Sequence, residues 1–438
     1  MENDFIIQFH EDLDRWINSQ LHNQSGKLLW RDIDVSKAIF NYLWYSHLAF
    51  RDRYIDAMHR GNSQYFNNIS VRIPLSNKSN ADDILNDLTY HSWRDILSQY
   101  KDSILLYADN LRHIQYLLPL ILHLGKSSQK ILLLTRCTEL PKELQNDSIV
   151  ILNFQPIITK AIITSGLVKI DPQLPIFIHT LFCYIHWLSP KLMICCDGCQ
   201  TQYQLAAIYC RQSHIPSLCL QFGWPGYIHS GFRDMPYSHY LTWGKEFSHI
   251  LKLFSSNTEF LSLGRLGSID AKGSHDAITF FMQAPIFVSS YEYYKRFIHL
   301  IERIALKYPS KRIFIRSHPE FKFDDNILNL NYKYQNIELD FNNNVESTYK
   351  ETHISVSHYS SCLVESIAFG CKPLMFNPTY GFDYQLLPDS HIAHDEREFM
   401  LKLEHIIKKG NSLDISNSIT DSGLNCIRNI TTFINTLI

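Results

Sequence analysis

Residues 316–319 read Arg-Ser-His-Pro and directly follow the apolar run Ile313–Ile315. Pro319 disfavours helical backbone geometry in the residue before it, so we expect His318 at the end of a strand. A histidine held there can donate a hydrogen bond to a phosphate oxygen, and Arg316 adds a positive charge nearby. The competing interpretation is that His318 only satisfies local carbonyl groups.

A second polar segment, His-Tyr-Ser-Ser at 358–361, lies between a predicted strand and a predicted helix that contains Glu365. The N-terminus of a helix exposes unpaired N–H groups and the positive end of the helix dipole, so it attracts anions. The hydroxyls of Ser360 and Ser361 would complete a phosphate site there. Glu365 would stabilise the helix dipole or accept hydrogen bonds from a ribose. One serine can instead serve only as the N-cap.

An acidic residue, Asp197, follows a third apolar run and precedes Gly198. At the end of a strand it can act as the general base that removes a proton from a hydroxyl, and the glycine would let a substrate approach closely. The alternative is that Asp197 caps the helix that begins near Gln200. Cys196 and Cys199 form a Cys-x-x-Cys pair, but no second ligand pair stands at metal-site spacing, so zinc is not expected.

Aromatic residues follow the next predicted strand, in the sequence Gln-Phe-Gly-Trp-Pro-Gly-Tyr at 221–227. Trp224 and Tyr227 have flat, amphipathic rings that suit stacking on a sugar. Aromatic residues in this place also serve interdomain packing, so contact with an acceptor is one of two interpretations.

Charge and composition restrict the classes of function. Lys and Arg total 41 and Asp and Glu total 43, so the formal net charge is −2 and no general positive field exists for a nucleic acid. The acidic start, Met1–Phe5, lacks the order of a secretory signal, which predicts a cytoplasmic chain without disulfides among its ten cysteines. The uncharged span 172–190 contains three prolines, so we interpret it as a buried helix rather than a membrane span.

Short apolar runs from residue 103 onward are separated by longer amphipathic stretches, a pattern typical of parallel strands with crossover helices. The segment 264–276 holds three glycines and two serines and predicts a linker between two α/β domains. Ligands of open parallel sheets bind outside the carboxyl ends of the strands. We therefore expect a helical region at 1–100, two Rossmann-like domains at 101–265 and 276–410, and C-terminal helices at 411–438.

The His-Pro and Ser-Ser pairs, with the sequence SHYSSCLVESIAFGCKPLMF around the second, resemble motifs of bacterial GT-B glycosyltransferases of surface polysaccharide synthesis. The resemblance is to sialyltransferase-like and Kdo-transferase-like enzymes in particular. It covers the C-terminal domain well, the middle of the chain more loosely, and the first 100 residues not at all. The fold it implies has two Rossmann-like domains facing a cleft, here with an N-terminal helical cap.

The same resemblance implies roles for individual residues. His318, Ser360 and Ser361 would hold the donor phosphate, and either Glu346 or Glu365 would reach the ribose. The implied donor is a nucleotide sugar, with CMP-linked sialic acid or Kdo favoured, and no cofactor or metal is expected. The implied acceptor is a glycan or glycolipid, which leaves open a peripheral association with the inner face of the cytoplasmic membrane.

The mechanism stays open at this point. If transfer inverts the anomeric centre, Asp197 is the expected base, whereas a retaining reaction needs none. His229 and His239 are the next candidates for a base. Without a metal, the charge of the leaving group would be stabilised by His318, by the helix after Ser360 and by Arg316.

Some positions depart from the patterns of these families. Sialyltransferase-like sequences have paired acidic residues before the glycine, whereas this chain has Cys196 before Asp197. The Gln221 loop resembles the Gln-His-Gly loop of capsule-synthesis and polyol-phosphate transferases, with Phe222 in place of the histidine. The alternatives are therefore a UDP- or GDP-sugar transferase or a CDP-polyol phosphotransferase on the same fold, or a non-catalytic nucleotide-sugar-binding scaffold.

Asp32 and Asp34 match the Asp-x-Asp pair that holds a metal in the other large glycosyltransferase fold. No nucleotide-binding strand precedes them, and Asp34 is placed to cap the helix predicted over 35–49. We therefore expect both aspartates to be structural.

Overall fold

The computed structural model describes the chain at residues 6–23, 28–30, 32–46, 48–72, 88–127, 129–145, 148–164, 167–224, 228–283, 291–318, 322–341, 344–358, 360–378, 386–409 and 419–438. Pro319 and Tyr227, two of the residues singled out above, lie outside these ranges. Within the ranges, no helix has the length and apolar character that crossing a membrane requires.

Strands and helices alternate along most of the described chain. The strands are β1 (Leu29–Trp30), β2 (Ile33–Asp34), β3 (Ser70–Arg72), β4 (Ile104–Tyr107), β5 (Ile131–Thr135), β6 (Ile149–Asn153), β7 (Ile162–Thr164), β8 (Leu167–Lys169), β9 (Leu192–Cys196), β10 (Ser217–Leu220), β11 (His239–Thr242), β12 (Glu259–Ser262), β13 (Ala277–Phe281), β14 (Ile313–Arg316), β15 (Ile337–Asp340), β16 (Thr352–Ser357), β17 (Lys372–Phe376) and β18 (Ile392–Ala393). The α-helices are α1 (Ile6–Asn23), α2 (Ser36–Tyr45), α3 (Leu48–His59), α4 (Leu88–Ser98), α5 (Leu111–Leu124), α6 (Leu174–Leu188), α7 (Thr201–Gln212), α8 (Lys245–Lys252), α9 (Tyr291–Lys307), α10 (Asp325–Lys333), α11 (Val345–Glu351), α12 (Cys362–Ala368), α13 (Glu396–Lys409) and α14 (Gly423–Leu437).

The chain divides into two compact units. The N-terminal unit consists of Gln8–Phe222, Ile228–Ser268 and Thr420–Ile438, and the C-terminal unit consists mainly of Ile269–Ile419. The helices before residue 100 therefore belong to the same unit as the first large sheet. The last helix, α14, also returns to the N-terminal unit, where Cys426 and Ile430 join its hydrophobic core.

A seven-stranded sheet forms the centre of the N-terminal unit. Its order is β12-β11-β10-β9-β4-β5-β6, and all neighbouring strands are parallel. The middle strands are short apolar runs whose residues are all buried, as in Ile131–Thr135 and Leu192–Cys196. Strands with this composition need cover on both faces. The strand order reverses between β4 and β9, the place where open parallel sheets bind their ligands.

The C-terminal unit contains a six-stranded parallel sheet in the order β15-β14-β13-β16-β17-β18. This is the strand order of the Rossmann fold, and its reversal point lies between β13 and β16. The N-terminal sheet has the same order with one further strand. Both units are Rossmann-like, which confirms the predicted α/β class.

Two smaller sheets in the N-terminal unit were not predicted. Strands β1 and β2 form an antiparallel pair. Strand β8 pairs parallel with β3 and antiparallel with β7. Each of these strands has only two or three residues, too few to show an alternating apolar pattern.

The glycines of the predicted linker serve close packing rather than free rotation. Gly264 has a φ of +103°, and a Cβ there would lie 2.2 Å from the carbonyl oxygen of Asp421. In the C-terminal unit, a Cβ on Gly273 would lie 1.8 Å from the carbonyl oxygen of Lys350. Only glycine fits either position, so both ends of the segment are held against their own units.

Candidate active site

Asp197 lies at the carboxyl end of β9, beside the reversal point of the N-terminal sheet. Its backbone is left-handed, with a φ of +57°, a conformation in which aspartate is enriched relative to most residues. Its carbonyl oxygen accepts the N–H groups of Cys199 and Gln200 at 2.5 Å and 3.3 Å. The N-cap of α7 is Gln200, and no side chain caps that helix. The interpretation of Asp197 as a helix cap is therefore wrong.

Three donors surround the carboxylate of Asp197. Sγ of Cys199 donates to Oδ1 at 3.1 Å, and Nε2 of Gln200 donates to Oδ2 at 3.0 Å. Nε2 of His113 lies 3.5 Å from Oδ2. Burial acts to raise the pKa of the Asp197 carboxyl, but these donors outweigh it and hold the pKa below its ordinary value. Asp197 is thus an ionised carboxylate at neutral pH.

His113 stands in the first turn of α5, the helix that follows β4. Asn110 caps this helix, and its Oδ1 accepts the N–H of His113 at 2.9 Å. Nδ1 of the His113 ring lies 2.7 Å from the hydroxyl of Tyr203. The His113 side chain is 3% exposed, whereas that of Asp197 is 22% exposed. Of the two side chains, that of Asp197 is therefore the one with the larger exposed fraction, and the imidazole lies on its buried side.

A second carboxylate, Asp109, also follows β4 and is buried. Arg136 contacts both of its oxygens, with Nε 2.7 Å from Oδ1 and Nη2 2.6 Å from Oδ2. Burial raises the pKa of Asp109, and Arg136 opposes the rise without cancelling it. The charges of Asp109 and Arg136 thus compensate each other near the ionised Asp197.

Hydrogen bonds join these groups into one closed network. Nε2 of Gln202 donates to Oδ2 of Asp109 at 3.2 Å and to Oε1 of Gln200 at 2.9 Å. The N–H of Asp109 donates to the hydroxyl of Tyr203 at 2.8 Å. A path therefore runs from Asp197 through His113, Tyr203, Asp109, Gln202 and Gln200 back to Asp197. Networks of this kind hold their members in a single geometry.

The sequence reading missed His113, Asp109 and Arg136. His113 lies in an amphipathic helical stretch, and a single histidine in such a stretch does not indicate a functional site. The signal that could have found it is the Asn110 cap directly after a buried strand, which orients the side chain three residues later toward the end of the sheet. Arg136 follows the neighbouring strand β5 in the same way.

Gly198 and Cys196 have structural explanations. A Cβ on Gly198 would lie 2.7 Å from Sγ of Cys219 and 2.8 Å from the ring of Tyr237. The space beside the glycine is thus filled by protein, and the expected approach of a substrate at this point is wrong. Cys196 belongs to the hydrophobic core, where burial raises the pKa of its thiol well above the ordinary value. An acid in its place would be buried without a partner.

Phe222, which stands where the loops that this segment resembles have a histidine, packs edge-on against the rings of His113 and Tyr116, with centroids 4.9 Å and 5.1 Å apart. The guanidinium of Arg112 lies over Phe222 at 5.6 Å. Trp224 is buried, with 6% exposed. Phe222 therefore encloses the histidine of the network.

His229 and His239 make contacts of their own. The ring of His229 stacks on Trp44 at a centroid distance of 4.0 Å, and its Nδ1 accepts the N–H of Gly231 at 3.1 Å. His239 is the first residue of β11 and so lies at the amino end of the parallel sheet, opposite the edge that holds Asp197. Its Nε2 is 3.3 Å from Oε2 of Glu259. Position alone excludes His239 as a partner of Asp197.

In the C-terminal unit, Ser360 and Ser361 follow β16 at its reversal point. Oγ of Ser360 accepts the N–H of Cys362 at 3.2 Å, and Oγ of Ser361 donates to Oε1 of Glu365 at 3.1 Å. Glu365 is buried. The serines and the glutamate named as donor ligands are therefore neighbours on one turn.

Arg316 ends β14 and forms a buried ion pair. Its Nη1 donates to Oδ2 of Asp340 at 2.7 Å and to Oγ1 of Thr348 at 3.1 Å, and Thr348 also contacts Asp340. The side chains of Arg316 and Asp340 are 9% and 3% exposed. The pair joins the carboxyl ends of β14 and β15, which run side by side.

His318 is half-buried two residues after Arg316, at the same edge of the sheet as Ser360. Only β13 separates the strands that these two residues follow. Glu346 is half-buried in the first turn of α11, where its N–H donates to Oδ1 of Asn344 at 2.9 Å.

The residue that begins the serine segment, His358, is buried against Tyr293, with ring centroids 3.6 Å apart and an angle of 24° between planes. Its Nδ1 lies 3.3 Å from the carbonyl oxygen of Phe376, which also accepts the hydroxyl of Tyr293 at 2.5 Å. Burial lowers the pKa of His358 to about 3. His358 is therefore a neutral packing residue that holds the start of the serine turn.

Among the remaining predicted groups, Asp34 has a local structural role. Oδ1 of Asp34 accepts the N–H and hydroxyl of Ser36 at 2.9 Å and 2.6 Å, although the N-cap of α2 is Val35. Asp32 is exposed. Across the described ranges, no three His, Cys, Asp or Glu side chains gather as a metal site would require, and the ten cysteines are free thiols.

No protein-family model and no curated protein matches the chain. Solved structures of similar fold do match. MnaA of S. aureus, solved with UDP, superposes with a TM-score of 0.52 at 12% identity, covering 77% of this chain and 98% of its own. UDP-GlcNAc 2-epimerase from Neisseria meningitidis, bound to UDP-GlcNAc, gives 0.52 at 13% identity over 76% of this chain and 100% of its own. The enzyme from Methanocaldococcus jannaschii gives 0.50 at 13% over 77% and 99%. These matches establish a GT-B type of fold.

Proposed function

We propose that this chain is a GT-B-type glycosyltransferase that uses a nucleotide-activated sugar. The observation that carries the proposal is the ionised carboxylate of Asp197, surrounded by three donors beside the reversal point of the N-terminal sheet. Parallel sheets of this kind bind ligands there. A fixed, ionised carboxylate on a partly exposed side chain is suited to take a proton from an acceptor hydroxyl.

In the proposed reaction the acceptor oxygen attacks the anomeric carbon of the donor sugar, and its proton passes to Asp197. The bond between that carbon and the phosphate oxygen breaks, and its electron pair leaves with the phosphate. The anomeric centre is inverted. Because the pKa of Asp197 is low, proton transfer is expected late in the step, when the acceptor oxygen already carries positive charge.

Donor binding is assigned to the C-terminal unit. His318 and the Ser360–Ser361 turn share one edge of its sheet, which supports their proposed contact with the donor phosphate. Glu365 already accepts a hydrogen bond from Ser361, so a ribose hydroxyl bound there would share that carboxylate. Glu346 is the other ribose candidate. Arg316 is committed to Asp340 and in this proposal acts by holding β14 and β15 in place.

The donor is proposed to be a pyrimidine nucleotide sugar. The His-Pro and Ser-Ser motifs favour CMP as the nucleotide. The structures of similar fold were solved with UDP or UDP-GlcNAc, which favours the UDP-linked alternative. The choice between CMP and UDP is an outcome of the experiment below.

Epimerisation of a nucleotide sugar is a second candidate function. The observation that favours it is that two of the structures of similar fold are UDP-GlcNAc 2-epimerases. The network of Asp109, His113 and Asp197 contains the kinds of group that move a proton at a sugar carbon.

The test is incubation of the full chain with CMP-, UDP-, GDP- and CDP-linked donors, with product analysis by NMR. Transfer predicts release of the nucleotide and inversion at the anomeric carbon, with sugar passed to acceptor or water. Epimerisation predicts a new sugar nucleotide without nucleotide release. Calorimetric binding with neither product would contradict both enzyme functions and support a scaffold.

A further inference from the structure

We propose that His113 is a positioning residue for Asp197: it presents a protonated Nε2 to Oδ2 of the carboxylate and thereby leaves Oδ1 as the oxygen that accepts the substrate proton. This inference rests on the proposed function for its catalytic meaning. The arrangement of hydrogen-bond donors around Asp197 is a property of the folded protein. It can be tested by measurements of stability, which need no enzymatic activity.

The orientation of Asn110 supplies the first step. Its Oδ1 accepts the backbone N–H of His113 at 2.9 Å, which turns its Nδ2 toward the imidazole. That nitrogen lies 3.0 Å from Nδ1 and 3.4 Å from Nε2 of His113. An amide nitrogen can only donate, and the shorter distance favours Nδ1 as the acceptor of the ring.

Tyr203 supplies the second step. Its oxygen accepts the N–H of Asp109 at 2.8 Å, and it lies 2.7 Å from Nδ1 of His113. With the phenol oxygen serving as acceptor toward Asp109, its own hydrogen is available to point at the ring nitrogen. Both groups can donate to Nδ1, and in this proposal the neutral ring therefore carries its hydrogen on Nε2.

The third step is the distribution of donors on Asp197. Oδ2 accepts a hydrogen bond from Nε2 of Gln200 at 3.0 Å, and it lies 3.5 Å from Nε2 of His113. Among the described residues Oδ1 has one donor, the thiol of Cys199 at 3.1 Å. A carboxylate oxygen has two lone pairs. Oδ2 thus faces two protein groups and Oδ1 faces one, which favours Oδ1 as the oxygen that accepts from a substrate.

The thiol on Oδ1 is itself held in place. The hydroxyl of Tyr45 donates to Sγ of Cys199 at 2.6 Å, so the thiol hydrogen is directed at Asp197. Burial raises the pKa of both Tyr45 and Cys199 well above their ordinary values. Both groups therefore stay protonated and act as donors at all pH values at which the enzyme would work.

A measurement of Asp197 ionisation must take account of the other titratable groups around this side chain. The thiols and phenols around it all have raised pKa values from burial and stay neutral in acid. Burial raises the pKa of the Asp109 carboxyl, and Arg136 opposes that rise. The charged and titratable groups on the elements around Asp197 are Tyr45, Asp109, His113, Arg136, Cys196, Cys199, Tyr203, Cys219 and Tyr240.

A matched pair of variants isolates the contribution of the N–H donor of His113. His113→Gln keeps an N–H donor near the position of Nε2, whereas His113→Leu has a similar size and no donor. Neither side chain titrates, and Asp109 is unchanged in both. Any difference between the two variants that depends on pH therefore reports the ionisation of Asp197.

The first measurement is unfolding by urea from pH 7 to pH 2.5. A carboxyl with a lowered pKa stabilises the folded state above its unfolded pKa, and this stability is lost as pH falls through the folded pKa. We expect His113→Gln to be more stable than His113→Leu at neutral pH, with the difference shrinking in acid. A difference that stays constant with pH, or is absent, would overturn the positioning role.

The second measurement is the pH dependence of kcat for nucleotide release. Asp197 must be ionised to accept a proton, so its activity falls as pH drops through its pKa. We expect the acid limb of His113→Leu to lie at higher pH than that of His113→Gln. Coincident limbs would contradict the inference. Absence of activity in the wild-type chain would refute the proposed function while leaving the unfolding measurement decisive.

Discussion

Nε2 of His113 faces Oδ2 of Asp197 at 3.5 Å, and the two residues follow adjacent parallel strands, β4 and β9. The carboxyl ends of adjacent parallel strands meet at one edge of a sheet, so the fold itself brings the two groups together. Hydrogen bonds to Gln200, Cys199 and Tyr203 then fix their geometry. In its proposed role as the base, Asp197 would need no rearrangement when a substrate binds.

The buried pair of Arg316 and Asp340 is expected to stabilise the C-terminal unit. Arg316→Ala would leave Asp340 buried without its cation, which typically costs about 3–5 kcal/mol. Arg312, which is 38% exposed and contacts Asp276 and Glu338 at the other end of β14, is the matched control, and its loss should cost about 1 kcal/mol or less. Urea unfolding of both variants checks this. Equal losses would contradict the structural role assigned to Arg316.

Donor phosphate binding is expected to depend on His318 and on the two serines. His318→Ala and the double change of Ser360 and Ser361 to alanine should each weaken nucleotide binding about 10- to 150-fold, because a hydrogen bond to a charged group contributes about 1.5–3 kcal/mol. Calorimetric titration with the best nucleotide measures the effect. His299→Ala, on the exposed face of α9, is the control and should bind normally. Unchanged affinity in both test variants would move the phosphate site elsewhere.

Much of the fold was predictable because its signals are local. Short apolar runs form β6 (Ile149–Asn153) and β17 (Lys372–Phe376), and an amphipathic stretch forms α9. Both kinds of pattern depend only on neighbouring residues. Strand β12 carries a weaker signal, because Glu259 is exposed and its other three residues are only half-buried.

The candidate site was predictable only in part. Asp197 was found because it follows an obvious strand and stands beside a glycine. His113 was missed because its importance arises from the adjacency of β4 and β9, which are far apart in sequence. The role of Gly198 was misjudged because the side chains that fill its space, Cys219 and Tyr237, come from later parts of the chain. Local sequence carries no information about contacts of that kind.

Stability is expected to depend on pH through His358. Burial lowers its pKa in the folded state from 6.5 to about 3. Between these values the unfolded chain binds a proton that the folded chain does not, so stability falls as pH drops below 6.5, by up to about 1.4 kcal/mol per pH unit. His358→Gln should show a shallower decline in its unfolding free energy over this range. An exposed control, His299→Gln, should keep the wild-type slope, and parallel curves for all three proteins would contradict the assignment.

Transfer is expected to proceed without a metal ion. In the proposed function, His318 and the turn at Ser360 stabilise the negative charge on the leaving phosphate. Chelation with EDTA should therefore leave the rate of nucleotide release unchanged. The check is a progress curve with and without EDTA, followed by addition of Mg²⁺ or Mn²⁺. Activity that is lost on chelation and restored by either ion would show that a required metal site was overlooked.

The most direct test of the account is the rate of transfer by Asp197→Asn under single-turnover conditions. Asparagine preserves the size of the side chain and tolerates the left-handed backbone at this position, but it cannot accept the proton. We predict a rate about 10² to 10⁴ lower than that of the wild-type chain, with nearly unchanged donor affinity, while Asp34→Asn, a control at a structural aspartate, retains full activity. A rate for Asp197→Asn close to that of the wild-type chain would contradict the assignment of Asp197 as the base.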